Sequence, residues 1–185
     1  MCLAGSAPRG ETPSSDRALG EALLKDHKNR VEHNLVVEMV RSALKEIVSP
    51  LEAPSEPTLL KLPNVQHLCT PVVGHLTEAT SIFSLLEALH PTPAVGGHPK
   101  LPSLDWLQLH EGFDRGWYAA PVGWTSLNGD GEYAVAIRSA LVRGDKATLF
   151  AGCGIVADSV ADDEYEESRL KLLPMWRALM GSVQP

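Results

Sequence analysis

"WYAAPVGWTSLNGDGEYAVAIRSALVRGDKATLFAGCGIV", residues 117–156, holds three runs of aromatic, β-branched and small apolar residues separated by two short polar breaks. The first break, "TSLNGDGE", contains Asn128-Gly129 and Asp130-Gly131, pairs that supply the positive φ angles a tight hairpin wants. The second, "RGDK" at 143–146, is another turn. A parallel crossover needs a dozen residues or more, so connections this short predict antiparallel pairing of three strands, "WYAAPVGW", "EYAVAIRSALV" and "ATLFAGCGIV".

The flanks read as helices and further strands. On the C-terminal side "SVADDEYEESRLKLLPMWRALMGSV", residues 159–183, predicts a helix capped by Ser159, with acids in the first turn where the helix dipole favours negative charge. Upstream, from Ser15 to about Val48, apolar residues recur at the helical period, from Leu19, Ala22 and Leu23 to Val36, Val40 and Leu44, with Ser15 or Asp16 as cap. Two stacked helices or one long bent helix both fit. Repeated prolines in "SPLEAPSEP" end that segment, because proline lacks a backbone donor and disfavours helix in the residue before it. "TLLKL" at 58–62 and "NVQHLCTPVVGHL" at 64–76 predict strands, and "TSIFSLLEALH" at 80–90 and "PSLDWLQLHEGFD" at 102–114 predict helices. The opening "MCLAGSAPRG" reads as the end of a strand already in progress. Blocks of helix and hairpin-joined strands make the class α+β.

Of the 185 residues 44% are hydrophobic and 21% charged, which suits an ordinary globular protein with a buried core. A formal charge of -7 leaves no basic footprint, so neither nucleic acid nor an anionic membrane surface is expected as a partner. The three cysteines, Cys2, Cys69 and Cys153, show no CxxC spacing; neither a disulfide framework nor a zinc knuckle is predicted, and a reducing cytoplasm is the expected location. No apolar run reaches the roughly 18 to 20 residues that span a bilayer, and the N-terminus lacks the pattern of a secretory signal.

Several side chains could carry chemistry. Glu164, Glu167 and Lys171 share one helix face by their spacing. A helix-stabilising Glu167–Lys171 ion pair is the plain structural explanation; a hard-cation site is the functional one, since carboxylates suit magnesium. Asn29 and Glu32, three apart in "KNRVEH", are either a solvated helix face or partners to such a site. Arg138 lies within a strand run, where it is a surface residue or a cation lining a cavity. Gly152 and Gly154 in "FAGCGIV" mark a bulge or a backbone approached closely by a ligand. His75 is a structural histidine or a proton-transfer group. "HPTPAVGGHP", residues 90–99, concentrates proline and glycine as a surface connection would.

Together, "HPTPAVGGHP", "FDRGWYAAPVGW", "GDGEYAVAIRSALV", "LFAGCGIVADS" and "EYEESRLKL", with "AGSAPRG" and "KNRVEHNLVVEMV" before them, resemble the chorismate-utilising enzymes in order and spacing over essentially the whole chain. That family includes anthranilate, aminodeoxychorismate, salicylate and isochorismate synthases, and the "HPTPAVGG" form is similar to the isochorismate synthase type. The resemblance implies the C-terminal part of a two-lobed sandwich like that of anthranilate synthase component I, with residues 1–185 forming a partial chorismate-binding domain whose N-terminal half is missing.

It also implies a magnesium-dependent isomerisation of chorismate to isochorismate, used by siderophore, menaquinone and salicylate routes. Glu32 and Glu167 would ligate the metal, with Glu164 and Asn29 behind them through water. Arg138 and Lys171, helped by the Gly152 backbone, would neutralise the enolpyruvyl carboxylate. Tyr118, Ile137 and Phe150 would wall the ring, Ala94 and Val95 would face it, His75 would sit beside it, and Ser6 would line the same pocket. Two residues depart from the family pattern: Asn29 stands where the family has Asp or Glu, and Cys153 replaces a common alanine. The family's water-activating lysine and its acid glutamate have no counterpart here, so a separate N-terminal half is an expected partner. A non-catalytic remnant, and a lyase of the salicylate or anthranilate type, are the alternatives.

Overall fold

The computed structural model describes residues 1–78 and 80–181. The chain divides into two compact units, Met1–Leu107 and the part from Gln108 onward. The first begins with strand β1 (Cys2–Pro8), helix α1 (Pro13–Lys25) and helix α2 (His27–Leu44), followed by β2 (Val48–Glu52), β3 (Thr58–Lys61), β4 (Val65–Thr70) and β5 (Val73–Leu76). Helix α3 (Ile82–Leu89), the four-residue helix α4 (Pro93–Gly96) and helix α5 (Lys100–His110) complete that stretch. In the second unit, β6 (Pro121–Thr125), β7 (Gly131–Val135), β8 (Ser139–Arg143) and β9 (Lys146–Phe150) precede helix α6 (Ala161–Met180).

The long N-terminal helical pattern is two helices, broken at Asp26. That residue ends α1 and also caps α2, its carboxylate accepting from the Asn29 amide at 2.8 Å. The cap of α1 is Thr12, not Ser15 or Asp16: Thr12 and Ser15 form a reciprocal capping box with Pro13 in the first turn. Asp16 is thereby left to another task. Buried, it receives Arg9 Nε at 2.6 Å, Lys61 Nζ at 2.7 Å and the Gly10 amide at 3.1 Å, which tie β1, α1 and β3 together. Hydrogen bonds from Arg9 and Lys61 hold its carboxyl well below the usual carboxylate range.

Pairing is antiparallel, and the strands among the described residues form four separate sheets. The order β1-β4-β3 makes the largest, and β2-β5, β6-β7 and β8-β9 are two-stranded. Strand β4 is central and its residues Gln66–Thr70 are buried. Apolar residues of α2 pack on β1, where Cys2, Ala4, Val36 and Val37 form a core cluster joined by Val40, Val72 and Ala94. The register of β1 slips between Ala4 and Ser6 at Gly5, whose φ of 79° suits glycine; an added Cβ there would lie 3.0 Å from Asn29 and 3.2 Å from Leu68.

Elsewhere the boundaries differ from the sequence expectation for local reasons. The proline-rich segment after α2 does not only end a helix: it contains β2, with Pro50 inside the irregular register between Val48 and Leu51. Residues 64–76 break at Pro71 into β4 and β5, which belong to different sheets. The run expected as one strand over 132–142 splits at Arg138, which adopts φ 51°, and the run from Trp117 enters the regular ladder at Pro121, after Ala119 at φ 66° and backbone bonds that join Ala119 and Ala120 to Ala136. Ser159 does not cap α6. Val160 holds that position without a side-chain bond, while Ser159 Oγ accepts from the Val156 amide at 3.1 Å to close the preceding turn. The last residues of the expected helix, Ser182 and Val183, lie outside the described residues.

Replacing Gly5 with alanine imposes a left-handed backbone on an L residue and presses on Asn29, so Gly5→Ala should destabilise by about 2 kcal/mol in urea denaturation. A loss below ~0.5 kcal/mol would show that β1 relaxes freely. For Asp16, a folded value depressed below 3.8 means the unfolded chain takes up its proton first as pH falls. The stability it contributes is present above pH ~4 and lost progressively below it. The Asp16→Asn variant should be weaker at pH 7 and show a flatter decline in urea midpoint between pH ~4 and ~2.5; a decline as steep as the parent's would refute the assignment.

Candidate functional site

In the first unit, the sequence-predicted residues cluster around the start of α2. Asn29 lies in its first turn, and the side-chain amide is committed on both ends: Nδ2 donates to Asp26 Oδ1 at 2.7 Å and Oδ1 accepts from the Ser6 amide at 3.3 Å. Ser6 is therefore brought to Asn29, and its hydroxyl also pairs with His67 Nδ1 at 2.9 Å. Glu32, one turn further along α2, is half-buried. Ala94 and Val95 fall in α4, and Ala94 packs against the cluster of Cys2, Ala4, Val36 and Val37, so packing is part of its task. His75 is exposed on β5, apart from these contacts.

Sequence reasoning passed over His33, which is 1% exposed. Its Nδ1 lies 3.2 Å from the Ala4 carbonyl, which can only accept, so Nδ1 carries a proton. Burial pushes the ring below its ordinary value, which keeps it neutral, and Nε2 accepts from Thr70 Oγ1 at 2.7 Å. A histidine on the buried face of α2 thus ties that helix to β1 and β4. Its only sequence signal is the helical spacing that puts His33 in register with Val36 and Val37.

The second unit assembles more of the expected set. On α6, Lys171 Nζ lies 2.7 Å from Glu167 Oε1 and donates to the Gly152 carbonyl at 3.3 Å. The expected ion pair is present and reaches beyond the helix. Glu164, one turn earlier, is 6% exposed, an unusual burial for a glutamate. One oxygen of Glu164, one of Glu167 and the Cys153 sulfur all lie within 4.8 Å of one another. Cys153 also donates its S–H to the Glu164 carbonyl at 3.1 Å. Burial, reinforced by the two carboxylates, pushes the Cys153 thiol up to about 11. Two hard oxygen donors beside a protonated thiol form a set that suits a hard divalent cation rather than a thiophilic one.

An aromatic wall stands beside these groups. Tyr118 stacks on Phe150 with ring centroids 5.4 Å apart, and Phe113 approaches the same ring at 5.9 Å. A Cβ on Gly152 would lie 3.2 Å from the Tyr118 hydroxyl, so that residue's lack of a side chain makes room for the tyrosine. The Gly152 carbonyl receives Lys171. Ile137 is exposed, and Arg138 sits half-buried at the left-handed junction of β7 and β8. Phe113, Arg115 and Glu111 also join this cluster, in the irregular segment after α5 where no helical spacing marks them.

A family model described as chorismate binding enzyme matches residues 1–180. The chain belongs to the chorismate-binding enzyme family. Among members of this family, isochorismate synthase MenF of Bacillus subtilis is 52% identical over 180 residues, which is 97% of this chain and 38% of that protein. The salicylate biosynthesis isochorismate synthase of Pseudomonas aeruginosa is 51% identical over 177 residues, 96% of this chain and 37% of that one. The solved structure of MenF, the menaquinone-specific isochorismate synthase of Escherichia coli, superposes with a TM-score of 0.85 at 34% identity, covering 95% of this chain and 40% of that chain. The chain therefore spans less than half the length of each. The expected chorismate-binding fold is confirmed at this level. No helix among the described residues is long and apolar enough to cross a membrane.

A thiol moved from 9.0 to about 11 has a thiolate fraction lower by about two orders of magnitude. Cys153 should react with iodoacetamide at pH 8 about a hundredfold more slowly than free cysteine, as followed by peptide mass spectrometry. Labelling at the rate of an unperturbed thiol would contradict the buried, carboxylate-flanked setting.

Proposed function

We propose that this chain carries the metal-holding and carboxylate-holding part of an isochorismate synthase, which converts chorismate to isochorismate with magnesium. The observation that carries the reading is the meeting of Glu164, Glu167, Lys171 and Gly152 beside the Tyr118–Phe150 stack. The high identity to isochorismate synthases supports the choice within the family.

The donor set fits magnesium: its oxygens are hard, and the neighbouring thiol stays protonated. Glu167 and Glu164 would hold the ion in this unit. Glu32 is carried over as a candidate ligand on the family resemblance, as is Asn29 through water, although its amide already braces Ser6 and Asp26. When bound, magnesium supplies the positive charge that lets a ring carboxylate lie beside acidic side chains.

The chain's own residues would do the rest of the binding. Lys171 offers a point charge to the second carboxylate, and Arg138 a planar fork. Tyr118 and Phe150, with Ile137, present an apolar wall to the ring and exclude water from that side, while Ala94, Val95 and Ser6 are assigned to substrate on the resemblance alone. For proton transfer these residues offer His75. The lysine and glutamate that the resemblance implies would come from a polypeptide equivalent to the length that relatives have beyond this match. Each such group contributes about 10²- to 10⁴-fold. The three free cysteines, two of them buried, support a reducing, cytoplasmic setting. Siderophore, menaquinone or salicylate synthesis would consume the product.

The test is chorismate turnover with magnesium, products resolved by chromatography, for this chain alone and mixed with the portion of the Bacillus subtilis relative that it does not match. Isochorismate should form in the mixture and fall by about 10²-fold or more with Glu167→Gln. Pyruvate release in place of isochorismate would replace the isomerase reading with a lyase. Turnover by the chain alone would move proton transfer onto its own residues, His75 first.

A further inference from the structure

Arg115 sits between a surface carboxylate and the aromatic wall, and nothing in the proposed chemistry uses it. Its Nε and Nη2 meet the two oxygens of Glu111 at 2.5 and 2.6 Å, a bidentate fork across the irregular segment that follows α5. Both members of this pair are only about one quarter exposed. The guanidinium carbon lies 5.7 Å from the Tyr118 ring centroid, over its face. The same ring stacks on Phe150, and its hydroxyl end lies against Gly152. The Tyr118 amide also donates to the Arg115 carbonyl at 2.8 Å, closing a turn that places both side chains together.

We infer that Arg115 is a positioning residue, which, clamped by Glu111, fixes the Tyr118 ring in its stack on Phe150 and so sets the hydroxyl beside Gly152, whose carbonyl receives Lys171. This rests on the substrate reading above and deepens it. A tyrosine held by stacking alone can slide in its plane. A cation held over one face by its fork on Glu111 limits that freedom. The order of influence runs from Glu111 to Arg115, to Tyr118, and then to the Gly152 backbone that Lys171 holds. A lysine at 115 keeps a charge over the ring but loses the fork that fixes its place.

The test has two arms. In the first, the 185-residue chain is labelled with 3-fluorotyrosine, the Tyr118 signal among the three tyrosines is assigned with Tyr118→Phe, and the fluorine spectrum is compared for the parent, Arg115→Gln and Arg115→Lys. In the second, kcat and KM for chorismate are measured for the same variants in the complemented mixture. The inference expects the Tyr118 signal to shift in Arg115→Gln. It expects KM to rise about tenfold with kcat within about twofold, and Arg115→Lys to restore part of the loss. Glu111→Gln, which keeps the cation and weakens the clamp, should move both readouts in the same direction and serves if Arg115→Gln does not fold. An unmoved Tyr118 signal overturns the inference whatever the kinetics. A moved signal with unchanged KM overturns it too, since the ring would then be held for no purpose in binding. A parent mixture that neither turns over chorismate nor shows a Tyr118 response to it overturns the substrate reading itself.

Discussion

The seating of α2 on β1 depends on one missing side chain. At Gly5 the strand bulges, the backbone turns left-handed, and the Asn29 side chain approaches to 3.0 Å of where a Cβ would stand. Because nothing occupies that space, the Asn29 amide can take the Ser6 N–H and the Asp26 carboxylate at once. The next turn of α2 then brings His33 onto the Ala4 carbonyl and Thr70. A buried polar network of this kind holds a helix in one register only when every member is satisfied, and a neutral, Nδ1-protonated imidazole satisfies it. Glu32 owes its half-buried position on α2 to that register.

The second unit solves a different problem, that of holding carboxylates close together. Glu164 is almost fully buried, with Glu167 and Cys153 within 4.8 Å. Two acids so placed repel each other unless a cation intervenes. Lys171 intervenes for Glu167, and its second bond, to the Gly152 carbonyl, anchors the ammonium to the irregular backbone after β9. The thiol contributes no charge, since the same burial and the same carboxylates keep its proton on. Cys153 thus acts as a small neutral filler with one donor.

What could be read from the chain without its structure follows from how local each cause is. The β6–β7 and β8–β9 hairpins were legible because Asn-Gly, Asp-Gly and Arg-Gly-Asp-Lys encode their turns within a few residues. Glu164, Glu167 and Lys171 were legible as one face because helical spacing alone aligns them. The split at Arg138 was not, because an arginine at φ 51° has no compositional mark and is imposed by its surroundings. Nor was the change of duty between Thr12 and Asp16: either residue type caps a helix, and only the tertiary arrival of Arg9 and Lys61 decides which is free to do so. Cys153 read only as a replacement for a common alanine, and Arg115 was not singled out, for the same reason. Their neighbours are brought to them by the fold.

With a formal charge of -7, this chain must hold its few inward cations against their own acids before any anion can use them. Arg115 spends two of its N–H groups on Glu111 and holds its guanidinium over the Tyr118 face. Lys171 is different. It has three donors and two of them are spoken for, by Glu167 and by the Gly152 carbonyl, which leaves one for a ligand oxygen without breaking either contact. Its strength toward an incoming carboxylate then depends on how much negative charge Glu167 continues to direct at it. On the proposed reading, whatever draws Glu167 away from Lys171 raises the effective charge that the ligand meets. The two halves of this small site, acid and cation, are therefore coupled through a single 2.7 Å contact. In this unit, affinity for the anion and occupancy of the acid cluster are linked quantities and should not be treated as independent.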